Sequence, residues 1–338
     1  MVTIADVAQR AGVSVATVSR TLHGSAKVDP RTRARVLAAA DELSYVASPT
    51  AMSLASGRTH VIAVVAPMMS RWFFASIVTA IEQNLRETGY HVMLFSLEAG
   101  PGAPGRFRPE FFAKRVDGIL WLNVAVTPAE EALLAKLDLP MVCVGTQIGD
   151  SPTVLIDDHR AARTAVTHLL SLGHREIAYV GTPVGSIAHM TTPAARVAAF
   201  RETLVHAGVP VREGWVLAAD WTADGAMEAV EPLLRSDRRP TAVLAASDEM
   251  AIGVLGAAAR TGLRVPEDLS VMGIDDHSFA GALGLSTVHQ DVPAQGRAAA
   301  QLLLAAVRNR DTRTPATRIE LATHLIPRQT TAPPQAAG

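Results

Sequence analysis

The sequence predicts an α/β protein with a small all-helical head and a larger body of two doubly wound parallel-sheet subdomains. Three observations predict this. The opening stretch VTIADVAQRAGVSVATVSRTLHG holds two short segments of helical periodicity with Gly12 between them. From His60 onward, largely apolar runs such as VIAVVAP, VDGILWL, PMVCVG and TAVLAAS alternate with helical stretches. Strands apolar on both faces belong to parallel sheets covered by helices on both sides. The alternation continues for about 270 residues, which suits two similar halves better than one sheet.

The head reads as three helices. Thr3 caps the first, with Asp6 as the reciprocal partner of a capping box. Gly12 falls where a helix end favours positive φ. Ser14 caps the second helix, which carries Val15, Val18 and Leu22 on one face and ends at Gly24. Asp29 before Pro30 is a helix start, and Val36, Leu37, Ala40 and Leu43 follow at helical spacing. Ser48-Pro49 repeats that start signal, but the segment to Ser56 is too short to be a stable helix alone. By pattern alone it is a linker. In the body, an amphipathic helix runs from Phe73 to Thr88, another ends at Gly173, and others span 194–207, 226–234 and 249–261. The strands between include HVMLFSL, PTVLID, EIAYVG, GWVLAA and LSVMGID. The tail TTAPPQAAG is expected to be disordered.

Charge separates the two parts. Residues 1–60 carry seven Lys and Arg side chains against four carboxylates, a net of +3, while the whole chain carries −1, leaving −4 for the rest. A basic head on an acidic body points to polyanion binding by the head, although a solvated face gives the same imbalance. The one cysteine, Cys143, excludes a disulfide within the chain and fits a reducing cytoplasm; its apolar surroundings make it a core residue. No signal segment or membrane-length apolar run is present, so no membrane partner is expected. Nucleophile-elbow, phosphate-loop and zinc-protease motifs are missing, and the histidines lack metal-ligand spacing. No enzyme activity, cofactor or metal is therefore expected. His168 and His174, which flank a helix end, are read as structural.

Two short helices joined at a tight turn at the basic end match a helix-turn-helix, whose second helix, SVATVSRTL, would enter the major groove. Arg20 is suited to guanine edges or phosphate, and Val15 and Ala16 to thymine methyls. A plain three-helix bundle fits the same pattern, and the residues alone leave that open. The longer segments favour the first reading. VTIADVAQRAGVSVATVSRTLHG with VDPRTRARVLAAADELSY resembles the DNA-binding head of the lactose-repressor (LacI/GalR) family of bacterial transcription regulators. The resemblance continues through VDGIL, GHREIAYVG, SDEMAIGVLGAAARTGLRVPEDLSVMGIDD and STVHQD, spanning about residues 2–328.

That resemblance implies a homodimer on near-palindromic operator DNA and a periplasmic-binding-protein-like body holding a sugar between its subdomains. It assigns Ser14, Val15, Ala16, Thr17, Ser19 and Arg20 to the recognition helix. Thr3, His23, Lys27, Thr32 and Tyr45 take positions that orient the head or touch phosphate, and Leu54 takes that of a hinge-helix wedge in the minor groove. Two departures bear on the hinge. Ala47 and Ser48 replace the usual Pro-Asn, with Pro49 one step later, and Met52 stands where many members have Arg. In the body, Asp275 and Arg196 are implied to bind sugar hydroxyls and oxygens, and Trp221 to stack on the ligand. Phe73 and Phe74 would wall the cleft, Ser247 and Gln290 would contact ligand, and Asp276 and Asp248 would be structural. Phe74 is the more core-like of the two phenylalanines, and Trp121 faces either the cleft floor or the core. The segment RWFF hints at regulators of oligosaccharide uptake.

The expected domains are 1–46, the DNA-binding head; 47–58, the hinge; 59–330, the sensor; and 331–338, a disordered tail. Within the sensor, one subdomain takes about 59–158 and 290–320, the other about 159–289 and 321–330. The function implied is a cytoplasmic repressor of carbohydrate uptake or catabolism genes, released from its operator by a sugar. A transporter's solute-binding protein and an enzyme on the same scaffold are the rival classes. No C-terminal heptad repeat is present to make tetramers, so a dimer is favoured.

Overall fold

The computed structural model describes residues 2–22, 27–45, 57–97, 108–124, 126–182, 191–309 and 316–335. The chain forms two compact units, Met1–His60 with Lys114–Asp117, and Val61–Ala113 with Gly118–Gly338.

In the first unit, α1 (Ile4–Ala11), α2 (Val15–Leu22) and α3 (Pro30–Glu42) pack around Val7, Ala8, Ala11, Val18, Val36, Ala39 and Ala40. The caps hold as their chemistry requires. Thr3 and Asp6 form a reciprocal box, with Thr3 N donating to Asp6 Oδ2 at 2.7 Å and Asp6 N donating to Thr3 Oγ1 at 3.4 Å. Gly12, at φ 63, lets its N–H close the α1 C-terminus on Ala8 and Gln9. Asp29 caps α3 by accepting from Thr32 N at 3.0 Å. Leu37, expected among the apolar positions at helical spacing, is 49% exposed, because Ala39 supplies the inward face of α3. Val15 is 45% exposed, with Val18 on the inward face of α2. The expected hinge residues up to 56 lie outside the described residues, as do His23 and Leu54.

The second unit contains two six-stranded sheets. The first runs β11-β5-β4-β3-β1-β2, all parallel, from β1 (Val61–Ala66), β2 (His91–Ser96), β3 (Gly118–Leu122), β4 (Met141–Val144), β5 (Thr153–Ile156) and β11 (Arg318–Leu321). The second runs β12-β10-β9-β8-β6-β7, from β6 (Ile177–Gly181), β7 (Val216–Ala218), β8 (Ala242–Ala245), β9 (Ser270–Asp275), β10 (Ser286–Gln290) and β12 (Thr323–Ile326). Only the edge pair β10–β12 is antiparallel there. Helices α4 (Trp72–Arg86), α5 (Pro128–Ala135) and α10 (Val292–Arg308) go with the first sheet; α6 (Asp158–Ser171), α7 (Thr191–His206), α8 (Ala223–Leu234) and α9 (Asp248–Thr261) go with the second. Each central strand is buried along its length, as helix-covered parallel strands must be.

The chain crosses between the sheets after β5, after β10 and between β11 and β12. Asp158 therefore opens a second-sheet helix, Gln290 ends a second-sheet strand, and Leu321 stays in the first sheet. Each lies at the edge of the subdomain ranges expected from sequence.

The tail is a correction. Residues 331–335 are ordered against the second sheet rather than free. Thr331 Oγ1 pairs with Ser286 Oγ at 2.8 Å and with His168 Nε2 at 3.0 Å. Ala332 O accepts from Ser270 Oγ at 3.1 Å and pairs with His174 Nε2 at 2.9 Å. Hydrogen bonds from buried strand side chains hold a segment whose own composition has little to bury. His168 and His174 make structural contacts here, and burial lowers the pKa of both.

Candidate functional site

In the head, α2 presents its N-terminal turn to solvent. Ser14, Val15, Ala16 and Arg20 are exposed, Thr17 and Ser19 half-buried, and Val18 anchors the other face at full burial. Ser14 starts the helix by accepting from Thr17 N at 3.2 Å, and its hydroxyl pairs with Thr17 Oγ1 at 2.9 Å. The outward row is therefore small and lightly polar, with one guanidinium at its end, a shape that fits a major groove. Lys27 is exposed and Thr32 and Tyr45 are half-buried, Tyr45 packing against the head's core. Thr3 is taken up by its capping box.

In the body, a cavity opens where strands of both sheets end. Open α/β sheets place ligands outside the carboxyl ends of their strands. Phe73, Phe74, Arg196, Trp221, Ser247, Asp275 and Gln290, all singled out from sequence, line this one cavity. Asp275 is the last residue of β9, at φ 133, and Asp276 follows at φ 57. Two successive non-glycine residues at positive φ are costly and turn the Asp275 carboxylate into the crevice.

A buried network fixes the polar wall. Gln295 Nε2 donates to Gln290 Oε1 at 2.8 Å, and Gln290 Nε2 donates to Asp275 Oδ1 at 2.6 Å. Arg196 Nη1 lies 3.7 Å from the same Asp275 oxygen. Its Nε and Nη2 each reach Asp158 Oδ1 at 2.8 Å, Nη1 donates to the Ala246 carbonyl, and Thr192 Oγ1 donates to Asp158 Oδ2 at 2.8 Å. Burial pushes the Asp275 carboxyl up to about 6, with Arg196 and Gln290 pulling the other way.

The remaining sequence-named residues divide clearly. Ser247 both lines the cavity and caps α9, accepting from Met250 N at 3.3 Å. Phe74 is buried in the first-sheet core as well as touching the cavity, while Phe73 is only half-buried. Asp276 faces away, paired with Arg328 at 2.6 Å and His289 at 3.0 Å. Asp248 is fully buried and ties α9 to β9 and β10, accepting from His277 N at 2.8 Å and from Thr287 Oγ1 at 2.7 Å. Burial and the nearby Asp275 raise its carboxyl to about 7. Trp121 lies in the core, its Nε1 donating to Val124 O at 2.8 Å. Cys143 is also buried, its thiol pushed up to about 12 by burial.

Sequence reasoning missed Arg71, Asn123, Gly145, Asp158, Thr192, Glu249 and Gln295, all of which line the cavity. Asn123, Gly145 and Asp158 directly follow or nearly follow apolar strand runs, and that position was the available signal. Gly145, at φ 73, accommodates Asn123, whose Oδ1 would lie 1.7 Å from a Cβ there. Among the described residues no acidic, histidine or cysteine cluster forms a metal site, and no helix is long and apolar enough to cross a membrane.

A helix-turn-helix head and a two-sheet body enclosing a polar cleft define a DNA-binding regulator with a sensor. Residues 3–48 match the bacterial regulatory proteins of the lacI family, and residues 166–331 match the periplasmic binding protein-like domain. Catabolite control protein A of Priestia megaterium is 35% identical over 277 residues, covering 81% of this chain and 82% of that protein. The solved lac repressor dimer bound to operator and the anti-inducer ONPF aligns with a TM-score of 0.82 at 27% identity, over 98% of this chain and 99% of that one. A transcriptional regulator CelR–cellobiose complex aligns with a TM-score of 0.71 at 31% identity, over 98% of this chain and 100% of that one. The chain belongs to the LacI family of bacterial regulatory proteins, and it is a transcription regulator that binds DNA.

Proposed function

We propose that this regulator represses carbohydrate uptake or catabolism genes in the cytoplasm and leaves its operator when a sugar fills the cleft. The observation carrying this reading is the cavity itself: an aromatic wall and a carboxylate–guanidinium–amide network meet where both sheets end. Aromatic faces with fixed donors and acceptors suit a hydroxylated ring. The cellobiose complex of CelR and the operator-bound lac repressor dimer support the same reading by similarity.

The active species is a homodimer, whose two heads read a near-palindromic site through Ser14, Val15, Ala16, Thr17, Ser19 and Arg20. Thr3, His23, Lys27, Thr32 and Tyr45 orient each head on phosphate, and Leu54 wedges the operator centre. Sugar reaches Asp275, Arg196, Gln290 and Ser247 between Trp221 and the Phe73–Phe74 pair. It relieves repression only by favouring a state that binds DNA less well. The protein works by binding alone.

The test is fluorescence-anisotropy binding of the full chain to DNA upstream of its own gene, at fixed salt because phosphate contacts dominate affinity. Tight binding that a sugar releases, with Asp275→Ala binding DNA but ignoring that sugar, is the expected result. Normal sugar response by Asp275→Ala overturns the cleft assignment, and failure of the folded chain to bind operator-like duplex overturns the DNA reading.

A further inference from the structure

The charges in the cleft wall are largely committed to one another. Arg196 gives its donors to Asp158 and to the Ala246 carbonyl. Asp158 also accepts from Thr192, and Asp275 accepts from Gln290. One carboxylate enters from a different direction. Glu249, in the first turn of α9, is half-buried and lines the cavity from the second-sheet side. Trp72 begins α4, whose N-cap residue Arg71 makes no side-chain cap and lines the same cavity from the first-sheet side. Nearby the Trp72 ring lies 4.8 Å from the His277 ring, a contact between the two halves.

Resting on the sugar-cleft reading, we propose that Glu249 is a specificity-determining residue that restricts this cleft to uncharged hydroxylated ligands and rejects their phosphorylated forms. Among the described residues three carboxylates line the cavity, Asp158, Glu249 and Asp275, against two guanidiniums, Arg71 and Arg196. Arg196 already shares its charge between Asp158 and Asp275, with three of its five N–H groups on Asp158 and the Ala246 carbonyl. Arg71 keeps a buried Nε with no hydrogen-bond partner among the described residues. An anion that reached Arg71 would share the cavity with Glu249, and like charges in a partly buried cleft repel. A hydroxyl meets no such opposition. It can accept from Arg71 Nε or from Trp221 Nε1, which is also buried without a partner among the described residues, and it can donate to the Glu249 carboxylate.

The test is titration of the full chain by tryptophan fluorescence with matched pairs: glucose and glucose 6-phosphate, ribose and ribose 5-phosphate, cellobiose and cellobiose 6-phosphate. Wild type is expected to bind a neutral member at least about tenfold more tightly than its phosphorylated partner. Glu249→Gln keeps the side chain's size and polarity and removes the charge. It should narrow the ratio of neutral to phosphorylated affinity by about fivefold or more, whatever its effect on the neutral sugar itself. Operator binding by the variant checks its fold, and Arg71→Gln should widen the discrimination. Equal or tighter binding of the phosphorylated partner by wild type, or an unchanged ratio in a DNA-binding Glu249→Gln, overturns the proposal while leaving the sugar cleft standing. Neutral-sugar binding that survives Asp275→Ala, or no binding of either class by the folded chain, overturns the cleft reading and the proposal with it.

Discussion

Replacing Arg196 by methionine keeps an apolar stem in a site only 3% exposed and removes every donor. The loss is specific. Asp158 Oδ1 forfeits two contacts of 2.8 Å and keeps only its Thr192 partner on Oδ2. The Ala246 carbonyl loses the Nη1 donor, and Asp275 loses a positive charge 3.7 Å away. Removing one member of a buried ion pair costs about 3–5 kcal/mol, against a total stability on the order of 5–15 kcal/mol. The cost also depends on pH. Burial already raises Asp275 to about 6, and Arg196 is the largest influence holding it down. Without Arg196 the folded-state value rises further above the unfolded one. The folded chain then holds a proton that the unfolded chain has released, so stability falls as pH rises from about 4 through the folded value. Arg196→Met is therefore expected to lose more stability at about pH 7.5 than at about pH 5, relative to wild type at the same pH. Histidines lowered by burial titrate in both proteins and cancel in the difference. The assay is urea unfolding of both full chains at the two pH values, with Arg196→Lys as a variant that keeps the charge and loses the fork. A loss below about 1 kcal/mol, or the same loss at both pH values, refutes the reasoning.

Gly145→Ala drives a Cβ into Asn123 at a position already at φ 73, so it should cost about 1–3 kcal/mol and weaken sugar binding; an unchanged melting curve and titration would contradict this. Truncation after Thr330 removes the bonds of Thr331 and Ala332 to Ser286, Ser270, His168 and His174. It should cost about 1–3 kcal/mol in urea unfolding, whereas a free tail would cost nothing. Arg20→Ala should weaken operator binding. If Arg20 meets phosphate, the loss is uniform across sequences and the salt slope falls by about 1; if it meets guanine, preference at one base relaxes by about 1–3 kcal/mol. No change in either quantity removes Arg20 from the interface.

The body's architecture was legible because burial on both faces leaves a mark that local sequence cannot hide. VIAVVA, GILWL and AVLA are apolar throughout, SVMGID is apolar between its ends, and each is a central strand. The edges were not legible for the complementary reason. In β11 and β12, RIEL and THLI are only partly buried, so their sequences carry no continuous apolar signal. The tail was misread for a related cause. Thr331 and Ala332 are held by hydroxyls and two imidazoles on other elements, and residue composition is blind to partners up to 163 positions away. In the head, the caps at Thr3, Gly12 and Asp29 were readable because a cap is a local arrangement of side chain and backbone. Leu37 was not, since Val36 and Leu37 are equally apolar in sequence and only the packing of α3 turns Val36, Ala39 and Ala40 to the core.

The cleft shows the same division more sharply. Asp275 is implied by the family resemblance of MGIDD, and its φ of 133 shows how a charged residue can end a buried strand and still face a cavity. Its partners come from far along the chain: Gln290 from the next strand, Arg196 from α7, and, through Arg196, Asp158 from α6. Nothing in the local texture of PTVLIDD separates Asp158, which anchors Arg196, from Asp157, which caps α6 by accepting from Arg160 N at 2.9 Å. Only the fold assigns those two adjacent carboxylates different work. A rule based on strand ends would have selected Asn123, Gly145 and Asp158, because the carboxyl ends of both sheets converge on the cavity. It would still have missed Gln295, which sits in the first turns of α10 and enters the network only because the chain has just crossed between the sheets. Residues that act through a crossover are legible only once the crossover is known, and here the crossover after β10 joins a first-sheet helix to the carboxylate at the centre of the cleft.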